Sequence, residues 1–315
     1  MIDRIKEVLN TNLPKETRSE IWEWCFSHIS QVPFTEENLE NMSNTELVWG
    51  IYGGYSGNEG SEHLNRKALY TLATALGIYG VQNPEGGANL KPLVNNDLVS
   101  DSELLKRIEK KIGFKIDLPK FTGGSHALET DYGIISDRHC HYLWILKRII
   151  DLFPVRSDRQ ISVIEIGAGM GFLGYYLNKI GYCDYTIIDL AYSNALQTYF
   201  YHKNLPNRKL VLSGDVENPF DKKYKAAIKI LHASDFEKVP AGRFDIMINI
   251  DGMTEMNLPD AFKYVNSDCA KLFLSINHEM NDYRVIDICK TRNLKYRYPF
   301  WLRDGYTEEL YESIY

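Results

Sequence analysis

The run Val163-Ile164-Glu165-Ile166-Gly167-Ala168-Gly169-Met170-Gly171-Phe172-Leu173, followed by Tyr185-Thr186-Ile187-Ile188-Asp189-Leu190, restricts this chain more than any other feature. It reads as a short apolar strand, a glycine turn, an amphipathic helix and a second strand ending in a carboxylate, the opening of a nucleoside-binding α/β domain. Without Cβ atoms, Gly167, Gly169 and Gly171 let the backbone turn sharply and let a ligand approach the N-terminus of the helix that starts near Gly171. Asp189 lies 22 residues after Gly167, where a strand-end carboxylate can accept hydrogen bonds from both hydroxyls of a ribose. The expected ligand contains adenosine.

The glycine spacing narrows the choice. A dinucleotide fingerprint places glycines at the first, third and sixth positions, but the sixth here is Phe172, which argues against a dehydrogenase. The first, third and fifth positions are glycine instead, with Glu165 before them. This E-x-G-x-G-x-G arrangement resembles the first motif of class I S-adenosylmethionine-dependent methyltransferases. The resemblance implies that the glycine loop underlies the methionine part of the cofactor, that Asp189 with its neighbour Leu190 holds the ribose, and that no phosphate is cradled. Glu165 and Asp189 also suit a cationic sulfonium better than an anionic pyrophosphate.

Composition sets few obstacles. The chain has 315 residues, 44% hydrophobic and 25% charged, long enough for a core domain with an appendage. A net charge of -6 without a dense basic stripe disfavours nucleic acid and anionic membrane as partners. Five dispersed cysteines without C-x-x-C spacing point to reduced thiols, and the charged start Met1 to Glu7 does not read as a secretory signal. No apolar stretch approaches the ~20 residues of a membrane span. The expected location is the cytoplasm.

Two parts are expected, a helical region over residues 1–125 and an α/β domain over 126–315. Apolar residues before 125 recur mostly at helical spacing, as in Ile21, Trp24, Cys25, His28 and Ile29 and again in Leu69, Leu72, Ala73 and Leu76. Between them, Gly50 to Gly60 mixes five glycines with tyrosines; it reads as an interhelical loop that would also suit a lid over a polar substrate. Gln82 to Asn89 is a second loop by its turn chemistry. The helical region is a candidate lid or oligomerisation element, and pairing of identical subunits stays open. His139-Cys140-His141 does not read as a metal site, since adjacent and alternate helix positions point to different faces.

Two segments compete for the third strand. Lys209 to Ser213 ends at Asp215, and Ala227 to Leu231 ends at His232; short apolar runs do not decide between them. Further strands run over Phe244 to Ile250 and Lys271 to Ile276, followed by Asn249-Ile250-Asp251-Gly252-Met253-Thr254-Glu255-Met256 and Asn277-His278-Glu279. Ligands of open parallel sheets bind beyond such carboxyl ends. These segments, with I-S-D-R-H-x-H-Y before the first strand, I-I-D-L-A-Y-S-N-A-L-Q after the second and the closing Arg297 to Tyr306, resemble a bacterial family of sugar O-methyltransferases over about residues 125 to 315. The resemblance implies a Rossmann-like, seven-stranded, doubly wound sheet of order 3-2-1-4-5-7-6 with the last strand antiparallel. It also implies S-adenosylmethionine as cofactor and a sugar hydroxyl as acceptor. Arg138 would then pair with the methionine carboxylate, Asp215 or His232 would border the adenine, and Asn249 would join the cofactor site.

A sugar hydroxyl is a poor nucleophile and needs a positioned base. His278 is the first choice, with Asp251 or Glu255 orienting it or acting directly. Trp301 and Arg303 are candidate substrate contacts, an indole for sugar C–H surfaces and a guanidinium for a phosphate or carboxylate. A divalent ion on Asp251, Glu255 and His278 or Glu279 would also acidify a hydroxyl, but no tight spacing demands one and no metal is expected. The alternatives are O- or N-methylation of a non-sugar natural product, or a protein that keeps the nucleoside pocket without catalysis.

Overall fold

The computed structural model describes residues 2–10, 19–29, 32–42, 47, 61–79, 99–121, 127–154, 160–181 and 184–314. The expected loops at residues 50–60 and 82–89, and Cys183, lie outside the described residues. In chain order the first elements are α1 (Ile2–Asn10), α2 (Glu20–Ile29), α3 (Glu36–Glu40), α4 (Ser61–Ala75), α5 (Asp101–Ile112), β1 (Leu128–Thr130), β2 (Gly133–Ile135) and α6 (Asp137–Leu152). The α/β alternation follows as β3 (Ser162–Ile166), α7 (Phe172–Lys179), β4 (Asp184–Asp189), α8 (Ala191–Asn204), β5 (Leu210–Leu212) and β6 (Ile228–His232). Then come β7 (Phe244–Ile250), α9 (Leu258–Val265), β8 (Ala270–His278), α10 (Val285–Ile288), β9 (Arg292–Pro299) and β10 (Tyr306–Ser313). Among the described residues, no helix is long and apolar enough to cross a membrane.

The main sheet has the order β5-β6-β4-β3-β7-β8-β10-β9. It is therefore eight-stranded, not seven-stranded as expected. The difference is β5, a short edge strand parallel to β6, while Ile228–His232 takes the place beside β4. Strands β5 to β8 run parallel and β10 runs antiparallel to both of its neighbours. The two competing segments are thus both strands, and the inner one is fully buried while the other closes the sheet edge.

Alternation of side chains across the pleat builds two cores. Val163, Ile187, Ile230, Ile246 and Leu274 face α6, α7 and α8, and this core runs on into Ile5 of α1, Leu69 of α4 and Leu105 of α5. Ile164, Ile188, Leu231, Met247 and Phe273 face α9 and α10 on the other side. The described helices before residue 125 therefore share a core with the sheet. Asn65 of α4 accepts from the Asp137 N–H at 2.8 Å, tying this helix to the first turn of α6. Further along α6, Trp144 and Arg148 donate to the buried Glu308 of β10 at 3.0 and 2.9 Å, and Tyr296 and Tyr298 of β9 complete its shell. Four donors compensate the burial of that carboxylate.

Helix α7 approaches β4 closely because Gly174 carries no side chain. A methyl there would overlap the Tyr185 ring and the Tyr201 hydroxyl, both buried. Gly174→Ala is expected to destabilise the chain by about 1–3 kcal/mol through overpacking, read as a lower urea midpoint with an unchanged denaturant slope.

Candidate active site

Strand order reverses at β3: the chain passes from β3 to β4 on one side and later crosses to β7 on the other. Beyond the carboxyl ends of these strands lies a cleft of about 290 Å³. Gly167 and Gly169 line it from the end of β3, Asp189 and Leu190 from β4, His232 from β6, and Asp251 and Glu255 from β7 and the turn after it. Arg138 and Tyr142 of α6 close one side, and Trp22 of α2 and Tyr264 of α9 also line it. The site has the location that an open α/β sheet predisposes.

The glycine turn is left-handed at all three glycines, with φ of +67° at Gly167, +56° at Gly169 and +83° at Gly171. Only the first two line the cleft. Gly171 is required by packing, since a Cβ there would lie 2.7 Å from the Tyr201 hydroxyl, which donates to the Gly171 carbonyl. Asp189 accepts from the Leu190 N–H at 2.8 Å on Oδ1 and from Gln197 at 2.8 Å on Oδ2. Burial raises its carboxyl to about 6, against the hydrogen bonds it accepts. His232 accepts the backbone N–H of Ser234 on Nδ1 at 3.2 Å.

The strongest charge cluster surrounds Asp251. This non-glycine residue has φ of +58° and accepts from Arg138 Nη1 at 3.2 Å, from Arg303 and from the Tyr306 hydroxyl. Burial alone would raise its carboxyl, but the two guanidiniums and the hydroxyl outweigh burial and hold it below the ordinary range. Glu255 shows the opposite balance. Burial and the Asp251 charge push it up to about 7, against the guanidiniums and a hydrogen bond from Trp22. One carboxylate is thus committed to charge pairing and the other is poised to exchange a proton near neutrality.

Several expectations are corrected by these positions. Glu165 does not reach the cleft: its pleat position turns it toward α7 and α8, where it is buried and accepts from the Tyr185 hydroxyl. Burial and the Asp189 charge raise its carboxyl well above the ordinary range. Asn249 is a buried brace that donates to the Ile166 carbonyl at 2.8 Å and accepts from the Met253 N–H at 2.9 Å. Asp215 follows the edge strand and pairs with Arg4, in a separate groove from the cleft.

His278 is also not a cleft residue. Strand β10 pairs with β8 as far as Tyr306 opposite His278, so the following turn covers this strand end. The imidazole accepts from the Met280 N–H at 3.1 Å and packs against the Tyr306 ring. Trp301 stands 71% exposed at the β9–β10 turn, outside the cleft lining. Arg303 reaches back to Asp251 and so supports the wall from behind rather than lining it. Among the described residues, no three His, Cys, Asp or Glu side chains are grouped to hold a metal. Asp251 is engaged by two arginines and Glu279 by Arg297, which removes them from such a set. His139 meets Tyr176 at 2.9 Å and His141 meets the Leu302 carbonyl at 3.3 Å, on different sides of α6.

Trp22, Tyr142 and Gln197 are the residues that sequence reasoning missed. Trp22 belongs to an amphipathic stretch that reads as core, and nothing in the spacing announces that Gln197 reaches back to Asp189.

No protein-family model matches the sequence, and no curated protein matches it. Among solved structures the chain is similar to a protein of Pyrococcus horikoshii, with 10% identity and a TM-score of 0.40 over 56% of this chain and 92% of that one. It is similar to the mitomycin 7-O-methyltransferase at 9% identity and a TM-score of 0.34, covering 56% of this chain and 57% of that one. A third likeness is to an S-adenosylmethionine-dependent methyltransferase from Aquifex aeolicus, at 12% identity and a TM-score of 0.35 over 54% of this chain and 89% of that one.

Asp251→Asn is expected to destabilise the chain by about 2 kcal/mol, because two guanidiniums lose their shared carboxylate. It should also lower the pKa of Glu255, since a negative neighbour disappears while the cations stay; titration of the Glu255 carboxyl by NMR reads that shift.

Proposed function

We propose that this chain is an S-adenosylmethionine-dependent methyltransferase that acts on a hydroxyl of a saccharide or glycosylated small molecule. The observation that carries the reading is the meeting, in one cleft, of the Gly167–Gly169 turn, the Asp189 carboxylate and Glu255 with its pKa near 7. The residues fit the cofactor in kind. Gly167, with φ of +67°, and Gly169, with φ of +56°, line the cleft without side chains and so leave their backbone open to a ligand. The half-buried Asp189 carboxylate lines the cleft at the end of β4, where ribose hydroxyls would meet it.

When bound, the cofactor supplies a methyl group on a sulfonium, open to in-line displacement. The chain's part is to hold, orient and remove a proton. Gly167 and Gly169 would underlie the methionine part of the cofactor and Asp189 its ribose, with His232 lining the cleft beside them. Arg138 lines the same cleft, and with one of its five N–H groups on Asp251 it keeps others for a carboxylate. Glu255 would accept the proton of the acceptor hydroxyl, a role that a carboxylate with pKa near 7 suits better than one near 4. Trp22 donates to Glu255 and lines the cleft with its indole, a surface suited to the C–H faces of a sugar.

Release of S-adenosylhomocysteine with saccharide acceptors tests the reading. Glu255→Gln should lower kcat about 100-fold or more while cofactor affinity stays within about twofold. The wild-type rate should rise with pH through about 7 as Glu255 loses its proton, and the variant should lack that limb. Asp189→Ala should weaken S-adenosylhomocysteine binding about tenfold. In the wild type, binding should weaken as pH falls through about 6, because the protonated acid accepts fewer hydrogen bonds. Unaltered turnover in Glu255→Gln would remove the base assignment.

A further inference from the structure

We propose that Gln197 is a positioning residue that locks the glycine turn to the Asp189 carboxylate and thereby fixes how a ribose is recognised; the inference rests on the cofactor reading above. Gln197 lies on α8, fully buried. Its single amide nitrogen donates at 2.8 Å to the Gly169 carbonyl and at 2.8 Å to Asp189 Oδ2. The amino group has two hydrogens, one for each partner. Both partners are acceptors, so the carboxamide has one sensible orientation: reversed, it would set its own oxygen against a carbonyl and a carboxylate.

This arrangement has a cost that reveals its purpose. The buried Gln197 Oε1 has no hydrogen-bond partner among the described residues. Leaving a buried acceptor unmatched is destabilising, and an apolar side chain of similar size would avoid it. The amide is therefore retained for its two N–H groups, which join loops from β3 and β4 that carry the two ends of the expected nucleoside contact. On Asp189 the other oxygen is fixed by the Leu190 N–H, so the carboxylate is held at both oxygens.

The clamp also bears on ionisation. Asp189 is buried, and Gln197 is one of the donors, with Leu190, Ser193 and Ala168, that oppose protonation. Glu165 on β3, His232 in register on β6 and Tyr264 on α9 are titratable groups around it, and Asp260 and Lys263 of α9 line the same cleft. Removing the Gln197 donor should leave a carboxyl that is both looser and harder to ionise.

Calorimetric titration of the full chain with S-adenosylhomocysteine, and with adenosine against 2′-deoxyadenosine, tests this. Gln197→Leu should weaken S-adenosylhomocysteine about tenfold at pH 7, regain part of that loss at pH 8.5, and reduce the preference for adenosine over 2′-deoxyadenosine. Wild-type affinity and preference in the variant would overturn the inference. So would a loss that is the same at both pH values and for both nucleosides, which would mark a merely structural role. Gln197→Met carries the same measurements if the leucine variant does not fold, and loss of folding in both assigns the residue to stability. A wild-type chain that binds none of these ligands overturns the cofactor reading and this inference together, whereas wild-type binding with an indifferent variant overturns the inference alone.

Discussion

The wall of the cleft depends on one carboxylate. Asp251 takes the left-handed backbone conformation at the end of β7 and there collects Arg138 from α6, Arg303 from the β9–β10 turn and Tyr306 from β10. Helix α6, the end of β7 and the β9–β10 hairpin, far apart in sequence, are thus joined at one point beside the strand ends. A short polar residue such as Asp tolerates this backbone better than a β-branched one, but a glycine, which would adopt it freely, could not hold the arginines. The charge that fastens the wall also acts on its neighbour: without Asp251, Glu255 would face two guanidiniums and lose much of the reason for its raised pKa.

The pleat decides which acids meet the ligand. Glu165 shares a strand face with Val163, toward α7 and α8, and it is sealed among Tyr142, Tyr185 and Tyr201 rather than aimed over the turn. Asp189, one strand over, is the last residue of β4, opposite His232 of β6, and lines the cleft. Two carboxylates equally visible in the sequence therefore have opposite fates, and the distinction is strand-end position, not residue type.

This explains what could be read from the chain in advance. The glycine turn, Asp189 and the cluster Asp251 to Glu255 were legible because local periodicity fixes strands and their carboxyl ends, whereas His232 is one of two candidates until the strand order puts Ile228–His232 beside β4. Arg138 was legible as a neighbour of the first strand, though its partner Asp251 was not. His278 lies outside the cleft lining because its place beside the Tyr306 ring depends on β10 pairing with β8, set by a hairpin that no local pattern displays. Asn249 was misread for a related reason: a polar residue at a strand end can serve the ligand or the next strand's backbone, and here it bonds Ile166. The edge strand β5 and its Asp215 were separated from the site only by the order of strands across the sheet.

The cleft therefore divides its acids by surroundings. Asp251 is paired and held ionised, Asp189 is desolvated and hydrogen-bonded, and Glu255 is desolvated beside a like charge. A cleft with Asp251 unpaired would present three competing negative charges and raise all of them, blurring the difference between an acceptor that binds and an acceptor that takes a proton. By spending two arginines on the acid at the wall, the fold leaves Glu255 as the group whose ionisation responds to conditions near neutrality. Trp22 then couples that group to α2, so the helical region before the sheet contributes a donor to the very carboxyl that the sheet positions. The acids on the two sides of the switch point thus differ through their surroundings and not through residue type.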